Sequence, residues 1–124
     1  MFWRLSHRHR GSQHEDLALA FLKQQGLTLV QRNYAWKGGE IDLIMLDDTT
    51  LVFIEVRYRK NATFGAATES LTRSKQLKLI NTAKHFLLTQ AKHNPACRFD
   101  LLAITGQTSS EQIDWLKNII QLDY

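Results

Sequence analysis

Cysteine and proline occur once each in the 124 residues, as Cys97 and Pro95. A lone thiol excludes an intramolecular disulfide and a zinc cluster built from thiolates, and it suits a reducing compartment. Long apolar runs are also missing. The strongly apolar stretches stop at about four residues, as in Leu51 to Ile54, whereas a bilayer span needs roughly 20. Met1 to Arg10 carries no apolar core of an export signal. These absences predict a cytoplasmic chain with no membrane partner. Acids are scarce over one long block: from Val56 to Phe99 there are nine Lys or Arg and a single acid, Glu69, while the rest of the chain has 7 bases and 11 acids. Such a block fits a polyanion such as DNA or RNA, although each lysine taken singly fits a solvated helix face as well. With 44% hydrophobic and 23% charged residues, the composition is globular and the length suits one core.

Ser12-Gln13-His14-Glu15 has the form of a capping box, and the apolar spacing after it predicts a helix over 12–25 closed by Gly26. Leu27 to Tyr34 reads as a strand and Ala35 to Gly39 as a loop. Glu40 to Leu46 and Leu51 to Tyr58 read as a hairpin turning through Asp47-Asp48-Thr49-Thr50. Arg59 to Gly65 is polar and loop-like. A second helix is predicted from Thr68 to Gln90, with Leu71, Leu77, Leu79, Ile80, Ala83, Phe86 and Leu87 as its apolar stripe, before Asn94-Pro95 stops it. Arg98 to Thr105 is another strand, and Gln112 to Leu122 fits either a short strand or a short helix. The order α-β-β-β-α-β, with a long connection between the third and fourth strands, predicts an α/β fold. Its expected form is a mixed sheet flanked by helices, with a right-handed parallel crossover.

Within the third strand, LVFIEVRYRK at 51–60, charge interrupts an apolar run. Side chains alternate along a strand, so Glu55 and Arg57 share one face while Val56 continues the other. A short even-length turn sets a register in which Asp42 opposes Glu55 and Glu40 opposes Arg57. Two carboxylates facing each other repel unless a cation lies between them. One solution is a divalent metal such as magnesium, which takes oxygen ligands from one or two carboxylates plus water and phosphate. The other is a network at a wet sheet margin, with Glu40 paired to Arg57.

The pattern Asp42, then Glu55-Val56-Arg57, preceded by Glu15, resembles the PD-(D/E)XK nuclease superfamily. More closely, the sequence resembles the YraN family of predicted bacterial endonucleases. The likeness covers Gly11 with Glu15, Arg32-Asn33-Tyr34, Gly39-Glu40-Ile41-Asp42-Leu43-Ile44, Phe53-Ile54-Glu55-Val56-Arg57, Lys75, and Arg98-Phe99-Asp100. It implies a restriction-endonuclease-like αβββαβ core over 12–124, preceded by a basic arm at 1–11, and similar to archaeal Holliday-junction resolvases. A homodimer is compatible with that likeness. It also implies a metal-dependent endonuclease acting on branched, nicked, damaged or single-stranded DNA, with magnesium (or manganese) held by Asp42, Glu55 and the Val56 carbonyl. Glu15 would then reach the metal through water, or else simply cap its helix. Glu40 would accept the nucleophile's proton, or else pair with Arg57. Arg57 stands where the superfamily pattern has lysine; it stays protonated, so it can stabilise phosphorane charge but cannot act as a base. That departure keeps a second reading open, a catalytically degenerate nucleic-acid-binding module that positions a partner.

Lys75 offers an ammonium near the site or a solvated helical lysine. Arg59, Lys60, Arg73, Lys75, Lys78 and Lys84 are the candidate phosphate contacts. Tyr34, Trp36, Tyr58 and Phe64 would either stack on unpaired bases or fill core edges. An internal ion pair accounts for Arg98 and Asp100 as well as a catalytic role does. His7 and His9 on the basic arm fit either a transition metal or simple solvation, His14, His85 and His93 show no ligand spacing, and no phosphate-binding glycine loop or nucleophile elbow is present.

Overall fold

Two tight turns fold the middle of the chain into three antiparallel strands. The computed structural model describes residues 2–61, 67–91, 93–106 and 111–120. Strand β1 spans Thr28–Trp36, β2 Gly39–Asp47 and β3 Thr50–Arg59. Lys37 and Gly38 turn β1 into β2 with φ of +42° and +80°, the left-handed pair of a two-residue hairpin whose twist matches the strands. The loop expected at 35–39 therefore contracts to these two residues. The β2–β3 turn is Asp48-Thr49, again two residues, and the register runs from Asp47↔Thr50 to Leu43↔Ile54. A two-residue turn keeps Ile44 opposite Phe53 and Leu46 opposite Leu51, as the apolar pattern requires.

After a 3₁₀ turn at Ala67–Ser70, helix α2 runs Arg73–Gln90, later than the expected start at Thr68. Thr72 fixes the start, because its hydroxyl accepts the Lys75 N–H at 3.3 Å. Strand β4, Cys97–Thr105, returns parallel to β3, and β5, Gln112–Leu116, pairs antiparallel with β4. The undecided segment at 112–122 thus begins as a strand. The sheet order is β1-β2-β3-β4-β5. This mixed sheet with its helices is the restriction-endonuclease-like αβββαβ core, extended by β5.

Each sheet face has its own apolar cluster. Leu79, Ala83 and Phe86 of α2 cover Ile44, Leu51, Phe53, Phe99 and Leu101. Ala18 and Leu22 of helix α1, Phe2–Gln24, cover Leu43, Met45, Val52, Ile54 and Leu102. Of the stripe expected on α2, Leu77 is half exposed, and Thr82 is buried instead, its hydroxyl donating to the Lys78 carbonyl at 2.7 Å. Helix α1 begins ten residues before the expected start, so Ser12 lies inside it and cannot cap its N-terminus. Residues 2–11 contain no proline and only one glycine, so nothing there halts the helix. The expected arm at 1–11 is helical from Phe2.

Asp100 is the most deeply buried charge described, 1% exposed. Its carboxylate accepts from Arg98 Nε at 3.1 Å, Trp115 Nε1 at 3.0 Å and the Asn118 N–H at 2.9 Å, and Arg98 Nη2 continues to Asp47 at 2.9 Å. The group ties β5 and the segment after it to the start of β4, which is the ion-pair alternative for Arg98 and Asp100. Asp100→Ala leaves these donors without an acceptor, and it is expected to lower unfolding free energy by about 3–5 kcal/mol in a urea titration. Asp100→Asn should lose less, since an amide oxygen still takes the Asn118 N–H.

Candidate active site

The β2–β3 ladder stops at Leu43↔Ile54, one pair short of Asp42 and Glu55. On β1, Asn33 lies between the pairs Arg32↔Leu43 and Tyr34↔Ile41, level with Asp42, and has φ of +53°. A left-handed residue inside a strand breaks the alternation of faces, and asparagine tolerates that conformation best among residues with a side chain. The break is visible in the packing. Leu43 and Met45 join the α1 cluster, whereas Ile41 and Tyr34 join the α2 cluster. Strict alternation therefore does not carry through to Asp42. Its carboxylate turns toward β3 and accepts the Val56 N–H at 2.8 Å, filling the place of a ladder partner.

Turned this way, Asp42 lies close to Glu55, and each carboxyl acts directly on the other's titration. Burial and the charge of Glu55 push the Asp42 carboxyl up to about 8, against the pull of the Val56 N–H, with Glu15 and Glu40 adding to the rise. Burial also raises Glu55, although Arg57 opposes it. Glu15, reaching in from α1, is raised by burial against the opposing effects of Arg32 and of a hydrogen bond to Asn33. Three acids displaced in one direction form a site short of positive charge.

The donor set suits a hard divalent cation. Asp42 and Glu55 are close enough to share a proton, and Glu15 Oε1 is buried without a hydrogen-bond partner, 3.6 Å from Arg32 Nη2. Among the described residues no group of three or more His, Cys, Asp or Glu side chains is gathered to hold one ion. Two carboxylates supplemented by main chain and water correspond to the way magnesium is usually held.

Arg57 Nη2 lies 3.5 Å from Glu55 Oε1. The Glu40–Arg57 pair expected from the register is replaced by this contact, because β2 and β3 no longer pair beyond Leu43 and Ile54 and Glu40 keeps only its β1 partner, Ala35. Glu40 is exposed and lines, with Glu55, Arg57, Lys75 and Lys78, a cleft of about 240 Å³. Acids thus stand beside cations within one opening. Gly39 allows α2 to form the opposite wall, since a Cβ there would collide with Thr82 Oγ1 and approach the Lys78 carbonyl to 2.9 Å.

Other expected residues fall elsewhere. Arg73 is exposed at the start of α2, Arg59 ends β3 with Lys60 just after it, and Lys84 lies on a separate groove with Trp36. Tyr34 is a core residue, and Tyr58 stacks on His14 at 3.9 Å while donating to the Gly106 carbonyl. Phe64 lies outside the described residues. Sequence reasoning gave no role to Asn33, His85 or the Arg32 bridge to Asp16 at 2.7 Å. Only asparagine's tolerance of positive φ hinted at the first.

Fold and site together define an α/β protein of the restriction-endonuclease-like class, with an acidic pair set in a break of its sheet. The chain belongs to the uncharacterised protein family UPF0102, also called YraN, whose model matches residues 14–104. It is 51% identical over 118 residues to a UPF0102 protein of Saccharophagus degradans, covering 94% of this chain and 97% of that protein. A UPF0102 protein of Nitrosococcus oceani is 46% identical over 119 residues, 95% and 96% of the two chains. One from Vibrio cholerae is 47% identical over 115 residues, 91% and 93%.

The Asp42 carboxyl titrates higher in the fold than its ordinary 3.8, so its protonated form favours folding. That stabilisation is complete below pH ~4 and is lost as pH rises through about 8. Asp42→Asn keeps an acceptor for Val56 and a donor for Glu55 without ionising. In metal-free buffer it is expected to melt about 5 °C higher than the native protein at pH 9 by calorimetry, with little difference at pH 4.

Proposed function

We propose that this protein is a metal-dependent endonuclease that hydrolyses phosphodiester bonds in structured or damaged DNA. The observation that carries the reading is the Asp42–Glu55 carboxyl pair at the end of the β2–β3 ladder, of which Glu55 lines a cleft together with Arg57, Lys75 and Lys78. In this reading magnesium (or manganese) is held by Asp42, Glu55 and the Val56 carbonyl, with Glu15 joined through water. When bound, such an ion supplies an activated water and charge neutralisation at the scissile phosphate.

The chain's own residues do the rest. Arg57, always protonated, lies against Glu55 and offers its guanidinium to the phosphate as charge builds on it. It cannot remove a proton, so that task falls to Glu40, the exposed carboxylate of the same cleft. Lys75 and Lys78 hold the flanking phosphates, and Arg59, Lys60, Arg73 and Lys84 extend the contact along the strand without reading sequence. No described helix is long and apolar enough to cross a membrane, and the reading puts the protein in the cytoplasm with its DNA substrate. The degenerate binding module is the second reading, favoured by Arg57 in the lysine position and by the gathering of only two carboxylates at the centre.

Purified protein with magnesium or manganese is expected to cut at least one of nicked, flapped, four-way or single-stranded DNA, and chelation should abolish cutting. Asp42→Asn and Glu55→Gln should each lower the rate at least ~100-fold, equivalent to about 2.7 kcal/mol of barrier. Cutting that survives both substitutions belongs to a contaminant and sinks the reading. Binding without cutting on every substrate supports the module instead, and activity gained by Arg57→Lys would show that only the lysine had been lost.

A further inference from the structure

A second opening, about 500 Å³, lies between the tip of the β1–β2 hairpin and α2. Its walls carry Trp36, Lys37, Lys78, Asn81, Lys84 and His85, so three ammonium groups meet an indole and an imidazole with no carboxylate among them. The helix contributes Lys78, Asn81, His85 and Leu88 at spacings of three, four and three, one continuous face. Lys78 also lines the cleft that Glu55 borders, so the two openings share a wall.

The aromatic part is anchored in the core. Trp36 stacks on His85 with centroids 4.6 Å apart and planes 14° from parallel. His85 Nδ1 is hydrogen-bonded to the Tyr34 hydroxyl at 2.5 Å, and Tyr34, 7% exposed, packs edge-on against Phe86. Gly39 seats the hairpin on Thr82 and Lys78 so that Trp36 reaches this face. A stack fixed in advance loses little freedom when a flat ligand joins it. Lys37 Nζ, 4.9 Å from the Trp36 ring centre, is exposed. An exposed ammonium–indole contact is weaker than stacking of a nucleobase on the same ring.

We propose that this groove is a subsite for unpaired nucleotides, in which a base of single-stranded DNA stacks on Trp36, its phosphates meet Lys37 and Lys84, and the strand passes Lys78 toward the Asp42–Glu55 cleft. The proposal deepens the preceding reading and rests on it only for the identity of the polymer. Ammonium groups without a carboxylate select a polyanion over an apolar ligand. A platform of this kind selects unpaired bases, because a base within a duplex has both faces covered by its neighbours.

The test is fluorescence anisotropy in EDTA, where cleavage plays no part. The probes are labelled dT12, a twelve-unit abasic strand of equal charge, and a blunt 20-base-pair duplex. Native protein is expected to bind dT12 about tenfold more tightly than the abasic strand. Trp36→Ala should remove that difference, and Trp36→Phe should keep most of it. Lys84→Gln should flatten the dependence of log affinity for dT12 on log salt by about 0.7, the value for one phosphate contact on a single strand. Equal affinity of native protein for dT12 and the abasic strand overturns the proposal without reference to any variant. So does a dT12 affinity unmoved by both Trp36→Ala and Lys84→Gln, even in a protein that cuts DNA. Base-dependent binding through Trp36 in a protein that cuts nothing supports the subsite while removing the nuclease reading.

Discussion

A side-chain carboxylate replacing a main-chain partner is the constraint on which the site depends. Inside a sheet every N–H needs an acceptor, and between β2 and β3 the ladder supplies them only as far as Leu43 and Ile54. At Val56 the acceptor is Asp42. That substitution keeps the strands from closing over the acids, and it holds Asp42 in one direction by a bond to rigid backbone. The left-handed turn of Asn33 stands at the same level, where β1 and β2 leave simple alternation. Remove the break and Asp42 would join the face of Ile44 under α2, away from the main-chain bond that now aims it.

The electrostatics follow from this placement. Asp42 is raised by burial first and by Glu55 second, and the one strong opposing interaction is the bond that orients it. Arg57 and Lys75 lower Glu55 but do not restore it to its ordinary range. Both acids are thereby held toward their protonated forms. Asp100 makes the contrast plain. It is more deeply buried than either, yet Arg98, Trp115 and Asn118 all donate to it, which makes it a brace for β5. Burial alone does not mark a reactive acid.

The elements that were legible in the sequence are those written in a single period. Apolar alternation and two short polar turns gave the β2–β3 register, and Ile44 does face Phe53. The interruption of LVFI by Glu55 and Arg57 marked the strand on which the candidate pair lies. Misreadings arose where one local signal had two structural uses. Ser12 to Glu15 has the spacing of a cap, but α1 is already running there, and Glu15 sits in mid-helix beside Arg32. Ala35 and Trp36 resemble loop residues because glycines follow them, yet they complete β1. The Glu40–Arg57 pair failed because a register argument assumes that pairing continues, and pairing is what the site interrupts.

By itself the sequence determined the order αβββαβ, the two apolar faces of the sheet, the basic block and the company of Asp42 with Glu55, since each depends on neighbours or on a turn of fixed length. Only the tertiary structure decided how these acids meet. A positive φ at Asn33, the lost ladder pairs and the seating of Gly39 on α2 arise from contacts between elements distant in the chain, such as 39 with 78 and 82. The same holds for the Trp36–His85 platform, whose members are 49 positions apart and share no spacing rule. Local periods fix which face a side chain shows, but the direction of a carboxylate at a break is set by whichever main-chain group the fold has left without a partner.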